Sequence, residues 1–221
     1  MAKALSGQGP KVIAEVKFNS PSEGELKKGA SPKETAKIAA SYAAAGAAAV
    51  SILTESEFFG GHPSFLAGAR NNRPTIPLLM KDFMVDEYQF ELARSIGADA
   101  VLLIAALLGP RLMDMHAKAR SLNLSVLIEV HNEAEAEAAL AAGDAIIGVN
   151  SRDLKTLKVD LAVARRLAPL VTSSRLAIAE SGIATRADMA ALHDAGYKGV
   201  LIGTTFMKSQ DPGSALKTFL S

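Results

Sequence analysis

Eight short apolar runs recur along this chain at a nearly constant interval, and that periodicity constrains the fold more than any single motif. The runs lie at about 12–18, 49–54, 77–83, 100–108, 125–131, 145–151, 175–181 and 199–205, with starts about 27 residues apart. Each interval has room for a strand, a helix of about three turns and two short loops, which is the spacing of a βα repeat. The runs are apolar on both faces, as in Val101-Leu102-Leu103-Ile104 and Ala145-Ile146-Ile147-Gly148-Val149. Parallel strands covered by helices on both sides read this way, because neither face meets water.

The stretches between the runs carry helix signals. Ser31-Pro32-Lys33-Glu34 supplies an N-cap residue, a proline at the first helical position and an acidic first turn, and Gly46 stops that helix. Asp86 to Ile96 stops at Gly97, the helix opened by Asn132 stops at Gly143, and Thr185 to Ala195 stops at Gly196. Glycine tolerates the left-handed conformation with which a helix turns sharply back into a sheet. The alternation predicts an α/β protein: one closed (β/α)8, or TIM, barrel over residues 1–221, with residues 1–11 as a short lead-in. In such barrels the active site lies at the C-terminal ends of the strands, with a phosphate site after strands seven and eight. An open doubly wound sheet is the competing arrangement.

Composition narrows the chemistry. Forty of 221 residues are alanine and only 5% are aromatic, so the core is built from small and aliphatic side chains. With 24 Lys and Arg against 23 Asp and Glu and no basic stripe, neither nucleic acid nor an anionic membrane is the expected main partner. The absence of cysteine excludes disulfides, thiolate metal sites and a Cys nucleophile. His62, His116, His131 and His193 show no ligand spacing, so neither a metal nor another cofactor is expected, and His131 reads as a cap on the loop after the fifth strand. No start-proximal segment resembles a signal peptide, and the longest apolar run, Ala98 to Leu108, is too short to span a bilayer. A cytoplasmic protein, monomeric or weakly associating, is the expectation.

Polar residues at the C-terminal ends of the apolar runs then become informative. Glu15 and Lys17, two apart, share one face of the first strand and point into the barrel. The third run ends Lys81-Asp82-Phe83, the fifth Glu129-Val130-His131, the sixth Asn150-Ser151-Arg152-Asp153 and the seventh Glu180-Ser181. A structural ion-pair network is the competing reading. Three glutamates and two lysines converging from four strands favour acid/base chemistry, since such a cluster perturbs its members' proton affinities. Ser181-Gly182-Ile183 and Ile202-Gly203-Thr204 bring backbone N–H groups and glycine to the two loops where barrels hold phosphate. A phosphorylated small molecule is therefore the expected substrate.

Taken together, these segments resemble the indole-3-glycerol phosphate synthase family. The resemblance rests on Glu15-Val16-Lys17 with Ser20-Pro21-Ser22, Phe58-Phe59-Gly60-Gly61, Lys81-Asp82-Phe83, Ile128-Glu129-Val130-His131, Asn150-Ser151-Arg152-Asp153-Leu154, Ala179-Glu180-Ser181-Gly182-Ile183 and Gly203-Thr204, in order over nearly the whole chain. It implies a decarboxylating, dehydrating ring closure of 1-(2-carboxyphenylamino)-1-deoxyribulose 5-phosphate. Lys81 then matches the general acid, Glu129 the carboxyl group assisting later loss of hydroxide, and Lys17 a lysine that contacts phosphate or carboxylate and is a second candidate acid. Glu15, Asn150 and Glu180 match groups that orient the lysines and sugar hydroxyls, and Arg152 and Ser181 match binding residues. Gly182, Gly203 and Thr204 match the phosphate cradle, and Ser20 and Pro21 the segment that closes over the substrate. Phe59 and Phe83 are candidates for the anthranilate pocket. A lysine can donate a proton near neutral pH and stabilise developing oxyanion charge, the more readily where neighbours and burial lower its pKa.

The chain also departs from the family pattern. Phe18, Glu23 and Met80 stand where cations are common, and only 11 residues precede Val12, where the family carries helical segments that help close the site. Weaker affinity and poorer water exclusion follow if the chain is complete. Two alternatives remain at this level: another phosphosugar barrel enzyme, such as a phosphoribosylanthranilate isomerase, or a non-catalytic barrel descended from the synthase.

Overall fold

A computed structural model describes residues 1–72, 75–173 and 175–221. Eight parallel strands close a barrel: β1 (Lys11–Val16), β2 (Ala49–Leu53), β3 (Leu78–Lys81), β4 (Ala100–Ile104), β5 (Ser125–Val130), β6 (Ile146–Asn150), β7 (Ala177–Glu180) and β8 (Gly199–Ile202). Each pairs with its sequence neighbours, and β8 returns to β1 through Lys11 opposite Gly199 and Ala14 opposite Ile202. An open sheet is excluded. The connecting helices are α1 (Pro32–Ala44), α2 (Pro63–Asn71), α3 (Tyr88–Ser95), α4 (Leu112–Ser121), α5 (Glu133–Leu140), α6 (Ala162–Val171), α7 (Arg186–Asp194) and α8 (Pro212–Leu220). Among the described residues no helix is long and apolar enough to cross a membrane.

The helix boundaries follow local chemistry. Ser31, Asn132 and Thr185 each accept a hydrogen bond from the backbone N–H three residues on, and Thr185 forms a reciprocal capping box with Asp188. Gly46, Gly97, Gly143 and Gly196 all stand at positive φ past the four helix ends at which the sequence places them. The fourth apolar run is shorter as a strand than as a pattern. It leaves the sheet at Ile104, and Ala105–Leu108 forms a helical turn.

Side chains alternate between two cores with the period of two that strands impose. Val12, Ala14 and Val16 of β1, and Leu78 and Met80 of β3, pack outward against the helices. Ile13, Leu79, Leu127 and Ile178, from β1, β3, β5 and β7, fill the barrel interior. The next inward position on each of these strands is Glu15, Lys81, Glu129 and Glu180. A barrel interior is packed in layers of four side chains from alternate strands, and here the layer nearest the C-terminal mouth is charged. Beneath it Leu5, from the short helix Ala2–Leu5, is fully buried in the inner core with Ala48 and Leu176 at the other end of the barrel.

Candidate active site

The charged layer is held by hydrogen bonds and by missing side chains. Lys81 Nζ lies 3.2 Å from Glu129 Oε2 and 3.5 Å from Glu180 Oε2. Lys17 Nζ pairs with Glu15 Oε1 at 3.1 Å, while Ser51 Oγ donates to Glu15 Oε2 at 3.3 Å. The three carboxylates are almost fully buried. Room for them comes from glycine: Glu180 Oε1 lies against Gly148, and a Cβ on Gly203 would stand 2.6 Å from Glu15 Oε1.

Such crowding moves proton affinities in opposite directions. Burial alone would depress the Lys81 ammonium, but Glu129, Glu180 and Glu15 outweigh it and raise its pKa above the ordinary lysine value. The condition that burial and neighbours lower the lysine pKa is not met here: desolvation is present, yet three carboxylates share one cation. Burial opposes ionisation of Glu129 too, but Lys81 and His131 hold it below the usual carboxylate range. Glu180 is pushed up to about 7, first by burial and then by Glu129 and Glu15, against the pull of Lys81. One carboxylate is thus held charged while its neighbour titrates near neutrality.

Above this layer opens a cavity of about 680 Å³, within the range typical of small-molecule sites. Every candidate named from the sequence lines it: Glu15, Lys17, Lys81, Glu129, Asn150 and Glu180 below; Ser20, Pro21, Phe59, Phe83 and Arg152 around the wall; Ser181, Gly182, Gly203 and Thr204 on the side of β7 and β8. Ser181 and Gly182 both have positive φ, 66° and 79°. Arg152 donates to the Leu157 carbonyl at 2.8 Å, and its backbone N–H donates to Asn150 Oδ1 at 2.9 Å. The Thr54 hydroxyl donates to Asp82, whose other oxygen accepts from the Phe83 N–H at 2.9 Å, so the turn after β3 fixes the Phe83 ring.

Sequence reasoning passes over several lining residues. Phe58 packs edge-on to Phe83 at 6.1 Å between ring centroids, as Phe59 packs tilted at 6.3 Å, and Leu102, Ile104 and Leu201 contribute apolar lining. The FF pair flags Phe58 as readily as Phe59. The departures also look different in place. Phe18 is buried edge-on against Phe65, Met80 lies in the outer core, and Glu23 pairs with Lys208 at 2.7 Å. Only the last of these positions faces the mouth.

Comparisons with known proteins show the family. The family model described as indole-3-glycerol phosphate synthase matches residues 1–219. The indole-3-glycerol phosphate synthase of Chromobacterium violaceum is 46% identical over 93% of this chain and 76% of its own length. Indole-3-glycerol phosphate synthase 2 of Streptomyces coelicolor is 45% identical over 98% of this chain and 83% of its own. Among solved structures, a mutant tryptophan synthase alpha-subunit from Pyrococcus furiosus superposes with a TM-score of 0.70 at 12% identity, covering 95% and 96% of the two chains, a likeness of fold alone. By the family model and by relatives at this identity over most of its length, the chain belongs to the indole-3-glycerol phosphate synthase family.

Proposed function

We propose that this chain is an indole-3-glycerol phosphate synthase acting at the C-terminal mouth of the barrel. It converts 1-(2-carboxyphenylamino)-1-deoxyribulose 5-phosphate to indole-3-glycerol phosphate, carbon dioxide and water. The observation that carries the residue roles is the position of Lys81, an ammonium held between Glu129 and Glu180 on the floor of a cavity lined by a second lysine and two glycine-bearing loops.

In this reading the phosphate sits against Gly182, Gly203 and Thr204, and Lys17 and Arg152 meet the substrate's anionic groups. The anthranilate ring lies among Phe59, Phe83 and the neighbouring Phe58. Anchoring both ends brings the ring carbon to the ribulose carbonyl, which lowers the entropic part of the barrier. Lys81 donates to the carbonyl oxygen as the carbon–carbon bond forms and stabilises the developing charge. A lysine facing three carboxylates is a poor acid, so the proton on Glu180 matters. When Glu180 is neutral, Lys81 loses one charged partner and gives up its own proton more readily. Loss of carbon dioxide from the ring carbon that formed the bond restores the aromatic ring. The methylene beside the nitrogen then gives a proton to the ionised Glu129, which passes it to the departing hydroxyl, so that water leaves as the carbon–carbon double bond forms. Asn150 and Ser181 orient the sugar hydroxyls, Glu15 holds Lys17, and Ser20 and Pro21 close over the site.

We place the whole of 1–221 in one barrel domain, in the cytoplasm, monomeric or weakly associating. Closure of the sheet by β8 against β1 supports the single domain. Purified protein at saturating substrate should produce the fluorescent indole product. No turnover would favour a barrel that has kept the fold and lost the chemistry.

A further inference from the structure

One titratable side chain in the charged layer has no part in these roles. His131 follows Glu129 by two residues, just past the end of β5, and is largely buried, its side chain 14% exposed. Its Nδ1 lies 3.0 Å from Glu135 Oε2, and its backbone N–H donates to the same oxygen at 2.8 Å. Glu135 sits in the first turn of α5 and is itself pinned: its Oε1 accepts from Asn132 Nδ2 at 2.6 Å, and its N–H donates to Asn132 Oδ1 at 3.0 Å. The ring is thereby clamped with Nε2 turned toward Glu129 Oε1 at 3.3 Å. The other oxygen of Glu129 meets Lys81.

We propose that His131, clamped by Glu135, is a positioning residue for Glu129: it holds one carboxylate oxygen so that the other stays aimed at Lys81 and the cavity. The proposal rests on the assignment of Glu129 to the chemistry. A carboxylate held at one oxygen turns easily, because the terminal torsion of glutamate is broad. A cation 3.3 Å away on the opposite side restrains that rotation by charge rather than by a hydrogen bond, and it adds positive charge to a layer in which three carboxylates face two lysines.

The surrounding groups define what titrates with what. Glu129 faces Lys81 from β3, Asn150 from β6, the carboxylate of Glu180 from β7 and His131 from its own strand. Glu15 on β1 acts on Lys81 and Glu180. His131 faces Glu129 and, from α5, Glu135. The turn after β4, Ala105–Leu108, packs against β5 and α5 with apolar side chains only. Burial lowers the affinity of His131 for its proton, but Glu129 and Glu135 more than offset this, so the imidazolium persists above the ordinary histidine range.

The test is steady-state kinetics of the purified protein on its substrate across acid and neutral pH. His131→Asn keeps a polar group near Glu135 but is too short to reach Glu129; His131→Gln reaches Glu129 with a neutral amide. The asparagine variant should lose about tenfold in kcat with KM within about twofold, the size of coupling found between neighbours in one charge network. Its acid limb should move to higher pH, because Glu129 protonates more easily. The glutamine variant should regain part of kcat without restoring the acid limb. A parent-like kcat and acid limb in His131→Asn, or a lower melting temperature with an unmoved pH profile, overturns the proposal. If neither variant folds, Glu135→Gln must shift the acid limb in the same direction, and an unmoved limb there overturns it. Glu129→Gln separates the two claims. Turnover retained in Glu129→Gln removes the assignment of Glu129 and the positioning role with it, whereas an inactive Glu129→Gln beside a parent-like His131→Asn removes the positioning role alone.

Discussion

Glu180 lies across Gly148 on the neighbouring strand, with one carboxylate oxygen in the space that a Cβ on Gly148 would need. The Leu127 side chain closes the same space at 3.1 Å. Gly148→Ala must therefore displace the carboxylate from its place beside Lys81. The expected cost is about 1–3 kcal/mol of stability, as for overpacking elsewhere, together with a fall of about tenfold in kcat from the disturbed ion pair with Lys81. Thermal melts and kinetics check both parts, and Glu180→Ala in the same chain should recover some stability but no activity. Unchanged kcat in Gly148→Ala would mean that the position of Glu180 does not matter to the chemistry.

The proton on Glu180 predicts a pH dependence of folding. Its folded pKa of about 7 stands above the ordinary glutamate value of 4.5, so the folded state binds more protons than the unfolded state between those limits. Stability from this group is present below about 4.5 and is lost as pH rises through about 7. Glu180→Gln lacks this loss, so its advantage over the parent should widen across that window. Both chains retain His131, whose raised pKa acts in a neighbouring range and largely cancels in the difference. Denaturant melts at a series of pH values give the curve, and a difference that stays flat with pH would sink the idea.

Lys81→Met should abolish turnover by orders of magnitude and also destabilise the barrel. The general-acid role taken by itself would cost turnover and leave stability untouched. The buried carboxylates of Glu129 and Glu180 change that, since removing their shared cation leaves charge uncompensated, typically at a cost of about 3–5 kcal/mol. Without Lys81 both carboxylates acquire raised pKa values, so the penalty is smaller at mildly acidic pH, where they can take protons, and larger at alkaline pH. Equal destabilisation at both would show that the loss is one of packing.

What the sequence conveys and what it hides divide along a physical line. Local signals were legible: the apolar runs, the caps at Ser31, Asn132 and Thr185, and the helix stops at Gly46, Gly97, Gly143 and Gly196 depend on residues within a few positions of one another. The inward alternation of Glu15 and Lys17 is equally local. The upward shift of Lys81 is not, because it needs to be known that Glu129, Glu180 and Glu15 all meet one ammonium from three other strands. Met80 is a local misreading of a simpler kind: adjacent to Lys81, it necessarily faces the other way, into the outer core. His131 looked like a loop cap because its contact with Glu135 is four residues away, while its contact with Glu129 depends on how the ring is turned.

Glu23 marks a strap across the mouth. The segment carrying Ser20 and Pro21 folds as a small ribbon, with Asn19–Ser20 paired to Gly24–Glu25, and it is tied to the chain after β8 by Glu23 to Lys208 at 2.7 Å and by Lys27 to the Gln210 carbonyl at 3.1 Å. The ion pair is largely exposed and screened by water, so Glu23→Gln should leave the melting temperature almost unchanged. A contact of that strength, if it favours the closed loop, is worth at most about fivefold in kcat/KM. The expected result is a modest fall in kcat/KM that high salt reproduces in the parent. A large drop in melting temperature would assign Glu23 to folding instead.

Gly182 tests the phosphate site most directly. It follows Ser181, and the two consecutive left-handed residues turn the chain out of β7. An alanine at 182 is strained at φ 79°, and its Cβ would also stand 2.5 Å from Val159 Cγ1. Val159 bridges to Arg152, so the displacement moves both the cradle and the arginine assigned to the substrate's anionic groups. Gly182→Ala should raise KM by about tenfold or more while kcat falls less, since an anchor used equally in ground and transition states appears in KM. Inorganic phosphate should weaken as a competitive inhibitor in parallel. Adding Val159→Ala relieves the overlap but not the left-handed strain, which costs about 1–2 kcal/mol, so only part of the affinity should return. If inhibition by phosphate is untouched in Gly182→Ala while kcat drops, the phosphate is held elsewhere and the turn after β7 serves the reacting carbons.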